Sequence, residues 1–234
     1  MTAWACFAAV VGVQLAVFAG VAAARRVPAG PALRLLLLAA AFGVPYGLAF
    51  DLIVGEAFDV FAYRLAPTVP FLILNGALSY GLAAATVWVL PINRAPAGRP
   101  PAWQTAVAGA VFAAALAVVA VSGTPLPTVI GLGAAILAAG ELAGALAGRA
   151  GPGLGVLQGR PRPALRLWTA AVAIGLVYEA ANALCPVWAW TPLPGLPGLW
   201  THAAIVLLGY VVLLHPALIA RQALMARRSG AVPD

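Results

Sequence analysis

Five carboxylic acids lie within or at the ends of apolar segments of this chain, where a charged group is unfavourable. The sequence has six acidic residues, and these five are Asp51, Glu56, Asp59, Glu141 and Glu179. A carboxylate in the hydrocarbon core of a bilayer is costly unless it is paired, solvated or protonated, so such acids are candidates for function. No basic residue stands beside any of them within an apolar segment, which leaves each acid without a local counter-ion.

Acids in such surroundings can start carbocation chemistry. Desolvation penalises the anion of a carboxyl group in an apolar pocket, so the group can stay protonated near neutral pH and donate its proton. Protonation of an alkene or epoxide gives a carbocation, which a site must shield from water and stabilise with aromatic faces until a base removes a proton. Aromatic residues stand close in sequence to Glu56 and Glu179, namely Tyr63, Tyr178, Trp188 and Trp190.

Polar residues of several segments are predicted to share one pocket with these acids. At about 100° per residue on a helix, Asp51, Glu56 and Asp59 fall within an arc of roughly 140°, so all three can face one interior cavity. We predict Glu56 as the proton donor and Glu179 or Asp59 as its catalytic partner. The predicted substrate-binding residues are Asp51, Tyr63, Asn75, Tyr80, Tyr178, Asn182, Trp188, Trp190, His202 and Tyr210.

Other interpretations of the polar residues stay open. Asp51 and Asp59 can equally be solvated near the membrane interface, and Asp59 can pair with Arg64. Glu141 can be an interhelical hydrogen-bond donor when it is protonated, and His215, which precedes a proline, fits a structural role.

The composition predicts an all-α membrane protein. Hydrophobic residues make up 64% of the chain, charged residues 8%, and the mean hydropathy is +1.01. Soluble domains have about 45–50% apolar and about 25% charged residues. Apolar runs punctuated by Pro, Gly and Arg predict a polytopic bundle of about seven transmembrane helices in a single domain over residues 1–234. The predicted spans are residues 3–24, 32–58, 67–90, 103–123, 126–148, 165–187 and 199–220.

The basic residues predict the orientation of these spans. All 13 are arginines, and alternating the connections between the two sides leaves only Arg64 apart from the rest. The positive-inside rule then places the N-terminus outside and the C-terminus in the cytoplasm, in a bacterial cytoplasmic membrane. Because topology accounts for the net charge of +7, we expect membrane lipids and no nucleic acid as partners. The oligomeric state is left open.

Small residues and cysteines give two further expectations. Gly140, Gly144 and Gly148 recur at four-residue spacing and predict a face on which another helix packs closely. Cys6 and Cys185 both fall near the predicted outer surface, so a disulfide is geometrically conceivable, but we expect two buried free thiols.

Several familiar motifs are absent from the sequence. It has no cluster with metal-ligand spacing, no H-E-x-x-H, no G-x-S-x-G, no P-loop and no dinucleotide fingerprint. We therefore expect no metal and no cofactor.

Two segments resemble parts of known membrane enzymes. GEAFDVFAYR, residues 55–64, resembles the acid-then-F-x-Y region of membrane carotenoid-modifying proteins, and YEAANALCPVWAW, residues 178–190, repeats an acid before W-x-W. The small size, seven spans and a glutamate ending the second helix are similar to the membrane-bound terpene cyclases of meroterpenoid and indole-terpenoid pathways. That resemblance implies that Glu56 acts with a second acid in protonation-initiated cyclisation. The family's second acid is usually an aspartate on the last helix, whereas Glu179 lies on the sixth.

The leading hypothesis is therefore a metal-independent, membrane-embedded terpene cyclase acting on an isoprenoid lipid. One alternative is a carotenoid hydratase or lycopene-cyclase-like enzyme. Another is a non-catalytic carrier or binding subunit for a small solute, whose acids recognise a cationic or polar ligand.

Overall fold

The computed structural model describes residues 2–92, 100–192 and 198–228. In this part of the chain, seven helices are long and apolar enough to cross a membrane. They are α1 (Ala3–Ala24), α2 (Ala29–Ala57), α3 (Val69–Val89), α4 (Ala102–Val121), α5 (Pro125–Leu146), α7 (Arg162–Leu184) and α8 (Gly198–Leu224). A short helix, α6 (Pro152–Leu157), lies between α5 and α7, and two strands are β1 (Phe61–Tyr63) and β2 (Trp188–Trp190).

Each predicted span corresponds to one of the seven long helices, so their number and position are confirmed. Two of the helices begin at a threonine whose side chain accepts a backbone N–H of the first turn, Thr2 for α1 and Thr68 for α3. The orientation across the membrane stays a prediction. Arg94 and Arg99, two of the arginines on which it rests, lie outside the described residues, as do the side chains of Arg227 and Arg228.

The packing divides the chain into two compact units. Unit 1 comprises Met1–Leu90 and Val172–Val206, and unit 2 comprises Pro91–Ala171 and Leu207–Asp234. Unit 1 therefore holds α1 to α3, both strands and the C-terminal half of α7, whereas unit 2 holds α4 to α6 and most of α8. That both units belong to a single domain over residues 1–234 stays a prediction.

Helices α2 and α3 approach each other backbone to backbone in unit 1. A Cβ atom added to Gly43 would lie closer than 3.0 Å to backbone atoms of Gly76 and Gly81. A Cβ at Gly81 would meet the backbone of Ala40 just as closely. Since backbone atoms cannot move aside as a flexible side chain can, this contact requires glycine on both helices.

Replacing Gly43 by alanine is therefore expected to destabilise unit 1 by about 1–3 kcal/mol, the usual penalty for overpacking. The matched control is Gly20→Ala in α1, because a Cβ there meets nothing within 4 Å. Thermal unfolding of the two detergent-solubilised variants measures the difference. Equal melting temperatures for Gly43→Ala and Gly20→Ala would contradict the proposed contact.

The predicted small-residue face of α5 is confirmed at two of its three positions. A Cβ at Gly140 would meet the imidazole of His215, and one at Gly144 would contact Ile219, both on α8. Gly148 does not belong to this face: it lies beyond the helix with φ of +75° and open space around it. The N–H of Arg149 donates to the carbonyl of Gly144 at 2.9 Å, so Gly148 is the left-handed residue that ends the helix.

The expectation of free thiols is wrong, because Cys6 and Cys185 form a disulfide with their Cα atoms 4.9 Å apart. It joins α1 to the residue that follows α7. The bond is buried in an apolar cluster of unit 1 that includes Phe7, Phe71 and Val187. The packing of α1 onto this cluster brings together two cysteines that no local pattern connects.

Candidate functional site

A two-stranded ribbon in unit 1 brings together the two segments that the sequence singles out. Strands β1 and β2 pair antiparallel, with Phe61 opposite Trp190 and Tyr63 opposite Trp188. Because residues two apart on a strand, and residues directly opposite across a pair, share a face, these four aromatic side chains lie on one face of the ribbon. The alanines between them, Ala62 and Ala189, are exposed.

Asp51 is the most deeply buried acid of this unit, with 1% of its surface exposed. Its Oδ1 accepts hydrogen bonds from the hydroxyls of Tyr63, at 2.8 Å, and Tyr80, at 2.5 Å. Its Oδ2 accepts from Nδ2 of Asn75 at 3.2 Å, and the same amide also donates to the Tyr63 hydroxyl at 2.7 Å. The carboxyl group on α2 is thus held by three donors, two from α3 and one from β1.

Two π-helical segments position this network. The first is the end of α2, Asp51–Ala57, whose first residue is Asp51. The second is Gly76–Tyr80 in α3, which directly follows Asn75 and ends at Tyr80. Such wide turns often occur at functional sites, because they redirect side chains relative to a regular α-helix. The close glycine contact between α2 and α3 lies beside them and brings Asn75 and Tyr80 within hydrogen-bond reach of Asp51.

Aromatic rings pack against the two tyrosines that bond to the buried carboxyl. Phe61 lies 5.4 Å from the ring centroid of Tyr63 and 5.4 Å from that of Trp190, both edge to face. Phe50 lies 5.8 Å from Tyr80, and Phe71 lies 5.1 Å from Tyr63. These rings carry electron-rich faces of the kind that stabilise a cation.

Tyr63 lies in the connection between α2 and α3. Burial, followed by the negative charge of Asp51, raises the pKa of its hydroxyl above the ordinary value for tyrosine. The hydroxyl therefore stays protonated at neutral pH and remains a donor to Asp51.

Glu179 lies beside the same ribbon. One of its carboxyl oxygens, Oε1, accepts hydrogen bonds from the indole N–H groups of Trp188, at 3.2 Å, and Trp190, at 3.1 Å. Asn182 holds the start of the strand: its Oδ1 accepts from the backbone N–H of Val187 at 2.8 Å and its Nδ2 donates to the Trp188 carbonyl at 2.9 Å. Asn182, predicted to bind substrate, thus fixes the turn that aims both tryptophans at Glu179.

Asp51, Glu56 and Asp59 differ in burial, and their placement around one interior cavity stays a prediction. Asp51 is buried, but Glu56 and Asp59 are exposed. Asp59 lies beyond the helix in a left-handed conformation with φ of 49°. The catalytic roles of Glu56 and Asp59 stay predictions.

Three further predicted residues are His202, Tyr178 and Tyr210. His202 is exposed near the start of α8, and its Nδ1 lies 2.8 Å from the carbonyl oxygen of Gly198, one turn earlier in the same helix. Tyr178 is buried on α7 in unit 1. Tyr210 is also buried but belongs to unit 2.

Unit 2 holds a second buried acid, Glu141, which joins α5 to α6 and α8. Its Oε1 accepts from the backbone N–H of Gly153 at 2.6 Å and lies 2.8 Å from Nε2 of His215. Its Oε2 accepts from the N–H of Leu154 at 3.1 Å. Glu141 thus makes interhelical hydrogen bonds, as the sequence suggests, but it accepts backbone N–H groups instead of donating a proton. These contacts give it a structural role.

The sequence predicts Glu56 rather than Asp51 as the proton donor; Phe61 enters only through the F-x-Y resemblance, and no sequence pattern assigns Phe50 or Phe71 to the site. Part of the Asp51 network is nevertheless predicted from the sequence, because Tyr63 and Asn75 are assigned to the same pocket as Asp51. Within the ranges that the structure covers, no three His, Cys, Asp or Glu side chains come together in a way that could hold a metal ion.

The seven long apolar helices define the class of protein: it is an all-α integral membrane protein. Comparison with family models, curated proteins and solved structures gives no match to this chain.

Proposed function

We propose that the chain is a membrane-embedded isoprenoid cyclase in which Asp51 supplies the proton that starts cyclisation. The observation that carries this proposal is a carboxyl group 1% exposed and bonded to an amide and to two phenols, which in turn pack against aromatic rings. Glu179, held by two indole N–H groups beside the same ribbon, is the proposed second acid.

Three donors around one carboxyl group suit an acid that must release its proton. When Asp51 gives up its proton, Tyr63, Tyr80 and Asn75 stabilise the carboxylate that remains, because hydrogen bonds to an anion are stronger than those to a neutral group. The surrounding rings then face the cation rather than water. The arrangement thus stabilises both charges that a proton transfer to an alkene creates.

The proposed reaction is a net isomerisation. The Asp51 proton forms a new C–H bond with a terminal alkene of a polyprenyl chain, and the electron pair of an internal alkene closes the ring onto the cation. Loss of a proton from the cyclised cation to the Asp51 or Glu179 carboxylate then forms a new alkene. No atom is gained or lost overall, and no metal or cofactor takes part.

The disulfide supports the proposed orientation, with the N-terminus outside. Disulfides persist in oxidising compartments and are rare in a reducing cytoplasm. The end of α1 that carries Cys6, together with the ribbon next to Cys185, would therefore face the outer side of a bacterial cytoplasmic membrane, as the distribution of arginines predicts.

Solvent deuterium tests the reaction directly. The purified chain in neutral-lipid nanodiscs is incubated with an acyclic tetraprenyl lipid in H₂O and in D₂O, and the lipid extract is analysed by mass spectrometry. A cyclase gives a product of unchanged mass in H₂O that carries one carbon-bound deuterium in D₂O. Asp51→Asn should abolish this product, while Arg25→Gln, a change at an exposed residue, should retain it.

The other outcomes identify the alternatives. A product heavier by one water molecule would indicate a hydratase and overturn cyclisation. Unaltered lipid, together with saturable uptake of a cationic solute into liposomes that contain the chain, would indicate a carrier.

A further inference from the structure

A cavity of about 550 Å³ in unit 2 is lined by three arginines and a glutamine. Arg162 is the first residue of α7, Arg160 lies two residues before it, and Arg166 lies one turn further along the helix. Gln158 directly follows the last residue of α6. The rest of the wall includes the backbone of Gly151 and Gly155. The volume falls in the range of about 300–1,000 Å³ that is usual for small-molecule sites.

The charge of this cavity is uncompensated. None of the described residues that line it is acidic, and within the described part of the chain none of the three guanidinium groups forms an ion pair. Arg166 donates a hydrogen bond from Nη1 to the carbonyl of Pro91 at 3.4 Å, which leaves its charge unpaired. Three guanidinium groups around one cavity repel one another and attract an anion.

The nearest buried carboxylate is already engaged. Glu141 accepts hydrogen bonds from the N–H groups of Gly153 and Leu154 and contacts His215, so its carboxyl oxygens already have partners. A Cβ at Gly151 would collide with this carboxylate, which explains the glycine at that point of the wall. Glu141 thus fixes the backbone that forms one side of the cavity.

A second contact fixes the opposite end of the same segment. Nε2 of Gln158 donates to Oε1 of Gln104 at 2.8 Å, and Gln104 is only 2% exposed on α4. The segment between α5 and α7 is therefore attached to buried polar groups at both ends. Hydrogen bonds therefore hold the segment that forms the wall of the cavity, and the three arginine side chains on it are exposed.

We propose that this cavity binds a phosphate-bearing ligand. Planar guanidinium groups match phosphate oxygens with two parallel N–H···O bonds, and the N-terminus of the 23-residue helix α7 adds partial positive charge at the same place. Two sources supply this chemistry: a free phosphate or diphosphate, and the headgroup of an anionic phospholipid. The proposal is independent of the reaction assigned to unit 1.

Two binding measurements on the full chain separate these sources. In the first, inorganic pyrophosphate is titrated at constant ionic strength against the chain in phosphatidylcholine nanodiscs. In the second, native mass spectrometry counts phosphatidylglycerol retained by the chain from mixed phosphatidylglycerol and phosphatidylcholine nanodiscs. The site variant is Arg160→Gln with Arg166→Gln. Its matched control is Arg25→Gln with Arg34→Gln, two exposed arginines of unit 1 that remove the same charge.

Loss of two charge-assisted contacts should weaken binding about tenfold or more relative to the control. Weaker pyrophosphate binding in the site variant supports a free ligand, and selective loss of phosphatidylglycerol supports a lipid headgroup. If the glutamine variant does not fold, Arg160→Lys with Arg166→Lys keeps the charge but lacks the planar fork, and should still bind more weakly than the control. Equal binding of both probes by site and control variants would overturn the proposal.

Discussion

Asp51→Asn is expected to lower product formation by about a hundredfold or more, the usual effect of removing a general acid. It should also destabilise unit 1. The asparagine oxygen can still accept from Tyr63 and Tyr80, but its amide nitrogen would then face the amide nitrogen of Asn75, which now donates to Asp51 Oδ2. Two donors would meet, and burying an unsatisfied polar group costs about 1–3 kcal/mol.

Exchanging the two residues offers a rescue. In Asp51→Asn with Asn75→Asp, the amide and the carboxylate face each other again in reversed order, so stability should recover towards that of the unchanged chain. Activity should not recover, because the carboxyl group has moved to α3. Thermal unfolding and product formation, measured for both single variants and the double variant, separate these effects.

Glu56→Gln decides between the two possible acids. Glu56 is the donor predicted from the sequence, whereas the structure buries Asp51 and leaves Glu56 exposed. If Glu56→Gln is inactive and Asp51→Asn retains full activity, then Glu56 is the acid and the role proposed for Asp51 is wrong.

Breaking the disulfide is the second change with a large expected effect. Cys6 and Cys185 are 179 residues apart, and a cross-link over so long a loop typically contributes about 2–5 kcal/mol by restricting the unfolded chain. Cys6→Ser should therefore lower the melting temperature of the solubilised protein by several degrees, and Cys185→Ser should do the same.

Reduction provides the internal control. A thiol reductant should lower the melting temperature of the unchanged chain but not that of Cys6→Ser with Cys185→Ser. Non-reducing electrophoresis should show faster migration only when both cysteines are present. A melting temperature that is insensitive to reductant would indicate that this bond contributes nothing to stability.

The seven helices could be predicted because hydropathy is a local property: each span is long, apolar and bounded by arginine, proline or glycine. The proximity of Glu179 to Trp188 and Trp190 could also be predicted from the sequence, because a short turn after α7 must bring the strand back beside the helix.

The identity of the central acid could not be derived in the same way. An ideal helical period places Asp51, Glu56 and Asp59 within one arc, but it does not show that Asp51 is buried while the other two are exposed. The bonds from Asn75 and Tyr80 to Asp51 depend on the close approach of α2 and α3. Such contacts, like the disulfide, arise from tertiary packing and leave no local pattern in the sequence.

The covalent link between the first helix and the end of the sixth long one also constrains how the protein is made. Cys6 leaves the ribosome early, and its partner follows only after six membrane segments have been synthesised. Oxidation of this pair is therefore a late event in biogenesis. The disulfide would form only in polypeptides whose N-terminal and penultimate segments are in contact after insertion. A pulse-chase experiment with thiol trapping would follow that moment of maturation in living cells.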